Sequence, residues 1–272
     1  MHAFALLLAL AATDTSRIVT LGGTATETVY ALGVGERVVG IDKSSLYPPE
    51  ATKKPSVGYV RAFSAEGVLS LNPSLVIAVK TAGPAAALAQ LRSAGVEVVL
   101  VSEERSVAGA KARVEEVAKA VGRVEAGARL VAEIDERVER AVNAATRTKK
   151  RPRVLFVYAR GGGTLNVAGR DTAADAIIEL AQGVNVMSEF SGYRPMTAEA
   201  TVRAAPDVIL ITEHGLASVG GKDALFALPG LAFTPAKAND RVVVMDDLLL
   251  LGFGPRVAEA VETLSSALGT AP

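Results

Sequence analysis

Short runs of apolar residues alternate with amphipathic stretches along most of the chain. The pattern predicts strands at 17–21, 38–41, 75–78, 96–100, 153–157, 208–211 and 241–244, and helices at about 26–33, 85–93, 172–181 and 255–268. Strand, helix and strand at this spacing indicate parallel βαβ units. The order of the elements therefore predicts an α/β fold.

The middle of the chain has a different pattern. Residues 108–148 carry no strand signal and break only near Gly122, and apolar residues recur close to a 3.6-residue period at Leu130, Val131, Ile134, Val138 and Val142. A helix over 124–145 would span roughly 30 Å. We therefore predict two Rossmann-like lobes, 17–121 and 151–272, joined by one long rigid α-helix within 122–150. The ligand cleft is predicted between the lobes.

Two loops, one in each predicted lobe, repeat the same short pattern. Each contains Gly-Tyr, an Arg, a Ser or Thr and then Ala-Glu, and each leads through a short helix and a Pro to an apolar strand. The copies run from Gly58 to Pro73 and from Gly192 to Pro206. A repeated unit implies similar structural lobes, so we expect equivalent loops to meet at the mouth of the cleft.

Composition excludes several classes of function. The 29 basic residues equal the 29 acidic ones, so no net charge attracts nucleic acid or an anionic membrane. The absence of Cys excludes disulfides, thiolate metal sites and cysteine catalysis. With His2 and His214 the only histidines and no Gly-x-Ser-x-Gly segment, no hydrolase triad is indicated. We therefore do not predict an enzyme.

The N-terminus has the pattern of a secretory signal. Residues 3–12 form an unbroken apolar run that ends in small residues. This run is too short to span a bilayer, but it suits a signal's hydrophobic region and cleavage site. Only Met1 and His2 stand where a basic stretch is expected, which indicates a truncated or misassigned start. We predict that residues 1–16 are the remnant of a signal peptide and that the protein is exported to the periplasm.

Four segments together resemble a known family. They are LGGTATETVYALG from Leu21, VGYVRAFSAEGVLSLNPSLVIA from Val57, GRDTAADAIIELAQG from Gly169, and GYRPMTAEATVRAAPDVILIT from Gly192. The chain resembles the periplasmic haem-binding proteins of bacterial haem-uptake ABC transporters. These belong to a helix-linked class of substrate-binding proteins that also contains vitamin B12 and siderophore binders. The resemblance implies a carrier that captures ferric haem b and delivers it to an inner-membrane ABC importer.

The resemblance also implies that Tyr59 ligates the haem iron. A phenolate is a hard oxygen donor that suits Fe(III), and tyrosine is an established haem ligand. A free Tyr titrates at about 10, so ligation at neutral pH needs the iron and nearby positive charge. Arg61 could supply that charge or bind a propionate. The alternative is a half-exposed Tyr59 that packs on its own loop.

Other candidates belong to the second lobe. Tyr193 and Arg194 occupy the matching loop of the second lobe. Their alternative roles are a second axial contact, a stacking surface, a propionate partner, or no role beyond that of ordinary loop residues. Arg170 and Asn166 border the same predicted cleft. No His occurs in 166–171, and His214, after the strand at 208–211, either reaches the cleft or is simply solvated. We expect five-coordinate iron with Tyr59 as its protein ligand.

Glu66 and Glu199 hold equivalent positions in the repeat. Each lies in the first turn of a helix opened by Ser64 or Thr197, where a carboxylate interacts well with the helix dipole. The resemblance adds a second role, because one Glu on each lobe of such proteins docks against arginines of the dimeric permease. We expect a monomer with no nucleic-acid partner. Cobalamin or a ferric siderophore is the alternative ligand.

Overall fold

The computed structural model describes residues 14–147, 150–160 and 165–269. Its strands are β1 (Ile18–Leu21), β2 (Val38–Ile41), β3 (Gly58–Tyr59), β4 (Ala62–Phe63), β5 (Leu75–Val79), β6 (Glu97–Val101), β7 (Arg153–Tyr158), β8 (Asn166–Ala168), β9 (Val184–Asn185), β10 (Tyr193–Pro195), β11 (Val208–Thr212) and β12 (Val242–Met245). Its helices are α1 (Gly23–Ala31), α2 (Ala65–Leu69), α3 (Ala85–Ser93), α4 (Val107–Ala120), α5 (Val124–Thr146), α6 (Ala173–Leu180), α7 (Ala198–Ala204), α8 (Glu213–Val219), α9 (Lys222–Ala227), α10 (Pro235–Ala238), α11 (Asp247–Leu251) and α12 (Val257–Leu268). The apolar run at 3–12 lies outside the described residues, and no described helix is both long and apolar enough to span a membrane.

A four-stranded parallel sheet forms the N-terminal lobe, in the order β2-β1-β5-β6. The central strands β1 and β5 pair Ile18 with Leu75 and Leu21 with Ala78, and both strands are buried along their whole length. Such continuous burial is expected of the inner strands of a parallel sheet that is covered on both faces. It explains why these strands were predicted correctly from unbroken apolar runs.

A larger sheet forms the C-terminal lobe, in the order β10-β8-β7-β11-β12 with β9 beside β7. Strands β7, β9, β11 and β12 are parallel, with β12 at one edge, whereas β8 and β10 add an antiparallel pair at the other edge. The sequence pattern did not predict β8, β9 or β10, because strands of two or three residues show no periodicity. The predicted α/β fold with two Rossmann-like lobes is confirmed.

The long helix α5 connects the two lobes and packs against both. Its buried side includes Ile134, Val138 and Ala141, and it contacts α4 of the first lobe and α12 of the second. The apolar side of this amphipathic helix is buried against both lobes, and this packing fixes the helix in place. A helix surrounded by solvent would not be stabilised in this way. The exact lobe boundaries at 121 and 151 remain a prediction.

Candidate functional site

A large cleft lies between the lobes in the described part of the chain, with a volume of about 570 Å³. The segments that line it follow the carboxyl ends of strands in both sheets: Gly22 to Thr24 follow β1, Arg105 follows β6, Arg160 follows β7, and His214 follows β11. Ligands of open α/β sheets bind in this position. The volume lies within the usual range of small-molecule sites, about 300–1,000 Å³.

Tyr59 and Arg61 both line this cleft. They belong to a tight hairpin in which β3 pairs with β4, and Tyr59 lies opposite Ala62. Gly58 precedes them at a φ of +108°, which a residue with a side chain adopts only under strain. The hairpin leaves Tyr59 39% exposed. The structure therefore places the phenol where a bound ligand can reach it.

Asp42 lies beneath this hairpin and is fully buried. Its carboxylate accepts hydrogen bonds from the backbone N–H of Val60 at 3.2 Å and of Gly22 at 2.8 Å. It also accepts from the backbone N–H of Ser44 at 2.8 Å and from the hydroxyls of Ser44 and Ser45 at 2.6 and 2.8 Å. One carboxylate thus joins three segments around the cleft.

Four cationic side chains and two carboxylates line the cleft: Lys43, Arg61, Arg105, Arg160, Glu103 and Asp247. When His214, which also lines the cleft, is counted as neutral, these side chains have a formal excess of two positive charges. Sequence reasoning identified Arg61 but missed the other three cations. A usable signal existed, since Lys43, Arg105 and Arg160 all follow the carboxyl end of a parallel strand within a few residues.

The rest of the cleft wall is mainly apolar. Its apolar residues are Leu46, Val60 and Val79 from the first lobe and Leu248 and Leu251 from the second. Gly22 adopts a φ of +115°, and a Cβ there would come within 2.7 Å of the Val79 side chain. The cleft therefore combines an apolar region with cations, which suits a large apolar ligand that carries anionic groups.

The second-loop candidates are not among the residues that line this cleft. Tyr193, on β10, packs its ring 5.3 Å from that of Tyr158 and is not among the residues that line the cleft. Burial raises the pKa of Tyr193 above its usual value, although the charges of Arg105 and Arg160 oppose the shift. A raised pKa disfavours the phenolate that iron ligation needs.

The two candidate arginines of this lobe make local contacts. The guanidinium of Arg194 lies 4.6 Å from the centroid of the Phe190 ring. The backbone N–H of Arg170 donates to the Phe190 carbonyl at 2.7 Å. Neither arginine is among the residues that line the cleft, and nor is Asn166. Their predicted roles stay predictions that the cleft geometry does not favour.

The predicted helix starts beside the two glutamates are confirmed. The Ser64 hydroxyl accepts the Gly67 N–H at 3.3 Å and opens α2, and the Thr197 hydroxyl accepts the Ala200 N–H at 3.3 Å and opens α7. Glu66 and Glu199 lie exposed in the first turns of these helices. Glu199 also pairs with Arg203 at 3.5 Å across one helical turn.

Two α/β lobes, a long linking helix and a cleft at the carboxyl ends of both sheets define the helix-linked class of substrate-binding proteins. The chain belongs to the periplasmic binding protein family, which it matches over residues 18–249. The members of this family are transport components that hand a ligand to a membrane permease.

Two solved structures and one sequence relative are similar to this chain over most of its length. The periplasmic heme-binding protein RhuT from Roseiflexus sp. RS-1 in apo form is 44% identical, with a TM-score of 0.90 over 93% of this chain and 98% of that one. The periplasmic heme-binding protein BhuT in complex with two hemes is 46% identical, with a TM-score of 0.87 over 93% and 97%. A cobalamin-binding protein of Halobacterium salinarum is 29% identical over 93% of this chain and 69% of that one.

Proposed function

We propose that this protein captures ferric haem in the periplasm through Tyr59 and delivers it to an inner-membrane ABC importer for iron acquisition. The observation that carries the proposal is the exposed Tyr59 phenol on the wall of a cleft with excess positive charge. The heme-binding proteins with 44% and 46% identity support haem as the ligand.

The charges of the cleft fit the two propionates of haem. Arg61 is the nearest cation to Tyr59 in sequence, and Lys43, Arg105 and Arg160 line the same cleft. An arginine binds a carboxylate through two parallel hydrogen bonds. In the proposed complex these cations neutralise the propionates, and the apolar wall covers the porphyrin.

Cobalamin remains the second candidate because a cobalamin-binding protein covers nearly the whole chain. Its amides are neutral and its nucleotide loop carries a single phosphate, so it supplies one negative charge against the formal excess of two positive charges in the cleft. The two propionates of haem supply two. The charge of the cleft therefore favours haem.

Delivery requires contact with the permease. We assign this contact to Glu66 and Glu199, which are exposed and lie at equivalent positions of the two lobes. A monomer that presents one acidic point on each lobe suits a permease with two-fold symmetry.

The test is a hemin titration of the purified apo-protein, followed by absorption spectroscopy, with Tyr59→Phe and Tyr193→Phe as matched removals of one hydroxyl. We expect saturable binding with a ferric tyrosinate spectrum. Tyr59→Phe should remove that spectrum and weaken binding by more than the roughly tenfold that loss of an outer-shell partner costs, whereas Tyr193→Phe should keep both. An unchanged Tyr59→Phe spectrum would disprove the ligand. Binding of cyanocobalamin but not hemin would establish the second candidate.

A further inference from the structure

His214 is held by the Asp247 carboxylate of the neighbouring helix α11. It lies in the first turn of α8, and its Nδ1 is 3.0 Å from Oδ2 of Asp247. The same oxygen accepts the backbone N–H of His214 at 3.2 Å. The Asp247 side chain is 11% exposed, whereas that of His214 is 69% exposed. A largely buried acceptor thus fixes the orientation of an accessible ring.

This contact determines which ring nitrogen is available. Because a carboxylate accepts hydrogen bonds, Nδ1 carries the proton, and Nε2 of the neutral ring keeps its lone pair. No contact of Nε2 is found within the described part of the chain. A His that donates one ring N–H to a carboxylate is the usual arrangement of metal-ligating histidines.

The position of His214 gives this lone pair a use. His214 lines the same cleft as Tyr59, but it comes from the other lobe. Ser218, one turn further along α8, and Leu248, which follows Asp247 on α11, line the same wall. The free nitrogen therefore lies on a wall whose apolar part can cover a porphyrin face.

We propose that Nε2 of His214 ligates haem iron from the wall formed by the C-terminal lobe. This inference rests on the proposed function and extends it from one protein ligand to two. The lone pair of Nε2 enters an open or water-occupied position of Fe(III), with no change of oxidation state. Asp247 is the positioning residue, since it fixes the tautomer and the ring. The C-terminal lobe then supplies a protein ligand for iron in addition to Tyr59 of the N-terminal lobe.

The experiment compares His214→Ala, Asp247→Asn and Ser266→Ala, each titrated with hemin and with iron-free protoporphyrin IX. Ser266→Ala is the control, because it truncates an exposed side chain on α12 that does not line the cleft. The Tyr59→Phe background isolates His214, and electron paramagnetic resonance reports its coordination. In that background we expect an imidazole-ligated ferric signal that His214→Ala removes and free imidazole restores.

Affinity provides a second readout. His214→Ala should weaken hemin binding in the Tyr59→Phe background by about tenfold or more, and Asp247→Asn by about tenfold. Protoporphyrin IX affinity should not change. A six-coordinate single haem and a second haem ligated by His214 both support the assignment, and the end point of the titration separates them. If the wild type binds hemin and His214→Ala leaves every spectrum unchanged, the inference is wrong but the proposed function stands. If the wild type binds no hemin, both are wrong.

Discussion

At the scale of single residues, Asp42 controls the shape of the Tyr59 loop. It accepts the Val60 N–H directly after Tyr59 and, on the opposite side, the Gly22 N–H after β1. An Asn side chain presents an amide in place of one acceptor oxygen, so at least one buried donor loses its partner. Hydrogen bonds to charged groups contribute about 1.5–3 kcal/mol each.

We predict that Asp42→Asn lowers the free energy of unfolding by about 3 kcal/mol and also weakens hemin binding, because the Tyr59 loop loses its anchor. Chemical denaturation and a hemin titration measure the two effects. Asp175→Asn is the control, since Asp175 is a buried acid of the other lobe that accepts from Asn185 at 2.7 Å. It should reduce stability but leave hemin affinity intact. Equal loss of affinity in both variants would contradict the positioning role.

Site residues that share one short motif could be identified from the sequence. Residues whose contacts are distant along the chain could not. Tyr59 and Arg61 share one short motif, so the motif alone placed both at the cleft. The contact between His214 and Asp247 joins residues 33 positions apart, and no local sequence pattern predicts such a contact. The cations Lys43, Arg105 and Arg160 belong to no repeated motif, so only their positions after parallel strands could have identified them.

At the scale of elements, α2 and α7 are the two copies of the repeated helix. Each is short, is opened by a hydroxyl cap and carries one Glu in its first turn. They differ in that Glu199 pairs with Arg203. An exposed pair of this kind contributes little, about 0.3–0.5 kcal/mol, so Glu199 stays available to a partner.

We predict that the double variant Glu66→Ala/Glu199→Ala binds hemin as the wild type does but transfers it poorly to the cognate importer. Truncating one partner of a buried charge pair costs about 2 kcal/mol or more, roughly a 30-fold weaker contact. Importer ATPase activity and hemin transfer in proteoliposomes provide the measurement. Glu139→Ala, an exposed acid on α5, is the control. Normal transfer by the double variant would contradict the docking assignment.

Two of the elements that were missed, α8 and α11, complete the second wall of the cleft. The sequence pattern predicted the buried strands and the long helices, but not α8 or α11, which have seven and five residues. Helices this short show too few turns for a period to be recognised. Their positions follow from contacts with the ends of β11 and β12, which only the folded chain brings together.

At the scale of the whole molecule, a second connection supplements the long helix. Glu27 on α1 accepts from Arg256 of the other lobe through Nε at 3.1 Å and the backbone N–H at 3.2 Å. The side chains are 4% and 16% exposed. The Arg256 guanidinium also lies 3.5 Å from the centroid of the Tyr47 ring. The lobes are thus joined at a buried ion pair as well as through α5.

A neighbouring contact strengthens this connection. Arg113 on α4 is almost completely buried and donates to the Phe253 carbonyl at 2.7 Å and to the Ser102 carbonyl at 2.6 Å. Phe253 lies three residues before Arg256, so both arginines hold the same segment between α11 and α12. We therefore expect this segment, together with the linking helix, to limit how far the lobes can open.

Burial raises the pKa of Glu27, and the charge of Arg256 opposes the shift. A carboxyl with a raised pKa in the folded state holds its proton more tightly there than when unfolded. The stability it contributes is therefore present at acid pH and decreases as the pH rises through the raised pKa. Without Arg256 the burial effect is unopposed, so the pKa of Glu27 rises further.

We predict that Arg256→Ala lowers the free energy of unfolding by about 3–5 kcal/mol, because it leaves a buried charge unpaired. Since Glu27 can take up a proton in acid, the loss should be larger at about pH 8 than at about pH 5. Hemin should also dissociate faster, as the lobes separate more easily. Denaturation at both pH values and stopped-flow transfer of hemin to apomyoglobin measure these effects.

Two further variants separate the buried pair from ion pairing in general. Arg137→Ala breaks the exposed pair between Arg137 and Glu262, which also joins α5 to the second lobe at 3.0 Å, and should cost less than about 1 kcal/mol. The double variant Glu27→Gln/Arg256→Met removes both buried charges, so it should regain most of the stability lost in Arg256→Ala. If its hemin dissociation stays fast, the pair itself restrains the lobes. An Arg256→Ala protein as stable as Arg137→Ala, with unchanged hemin release, would show that α5 alone sets the opening.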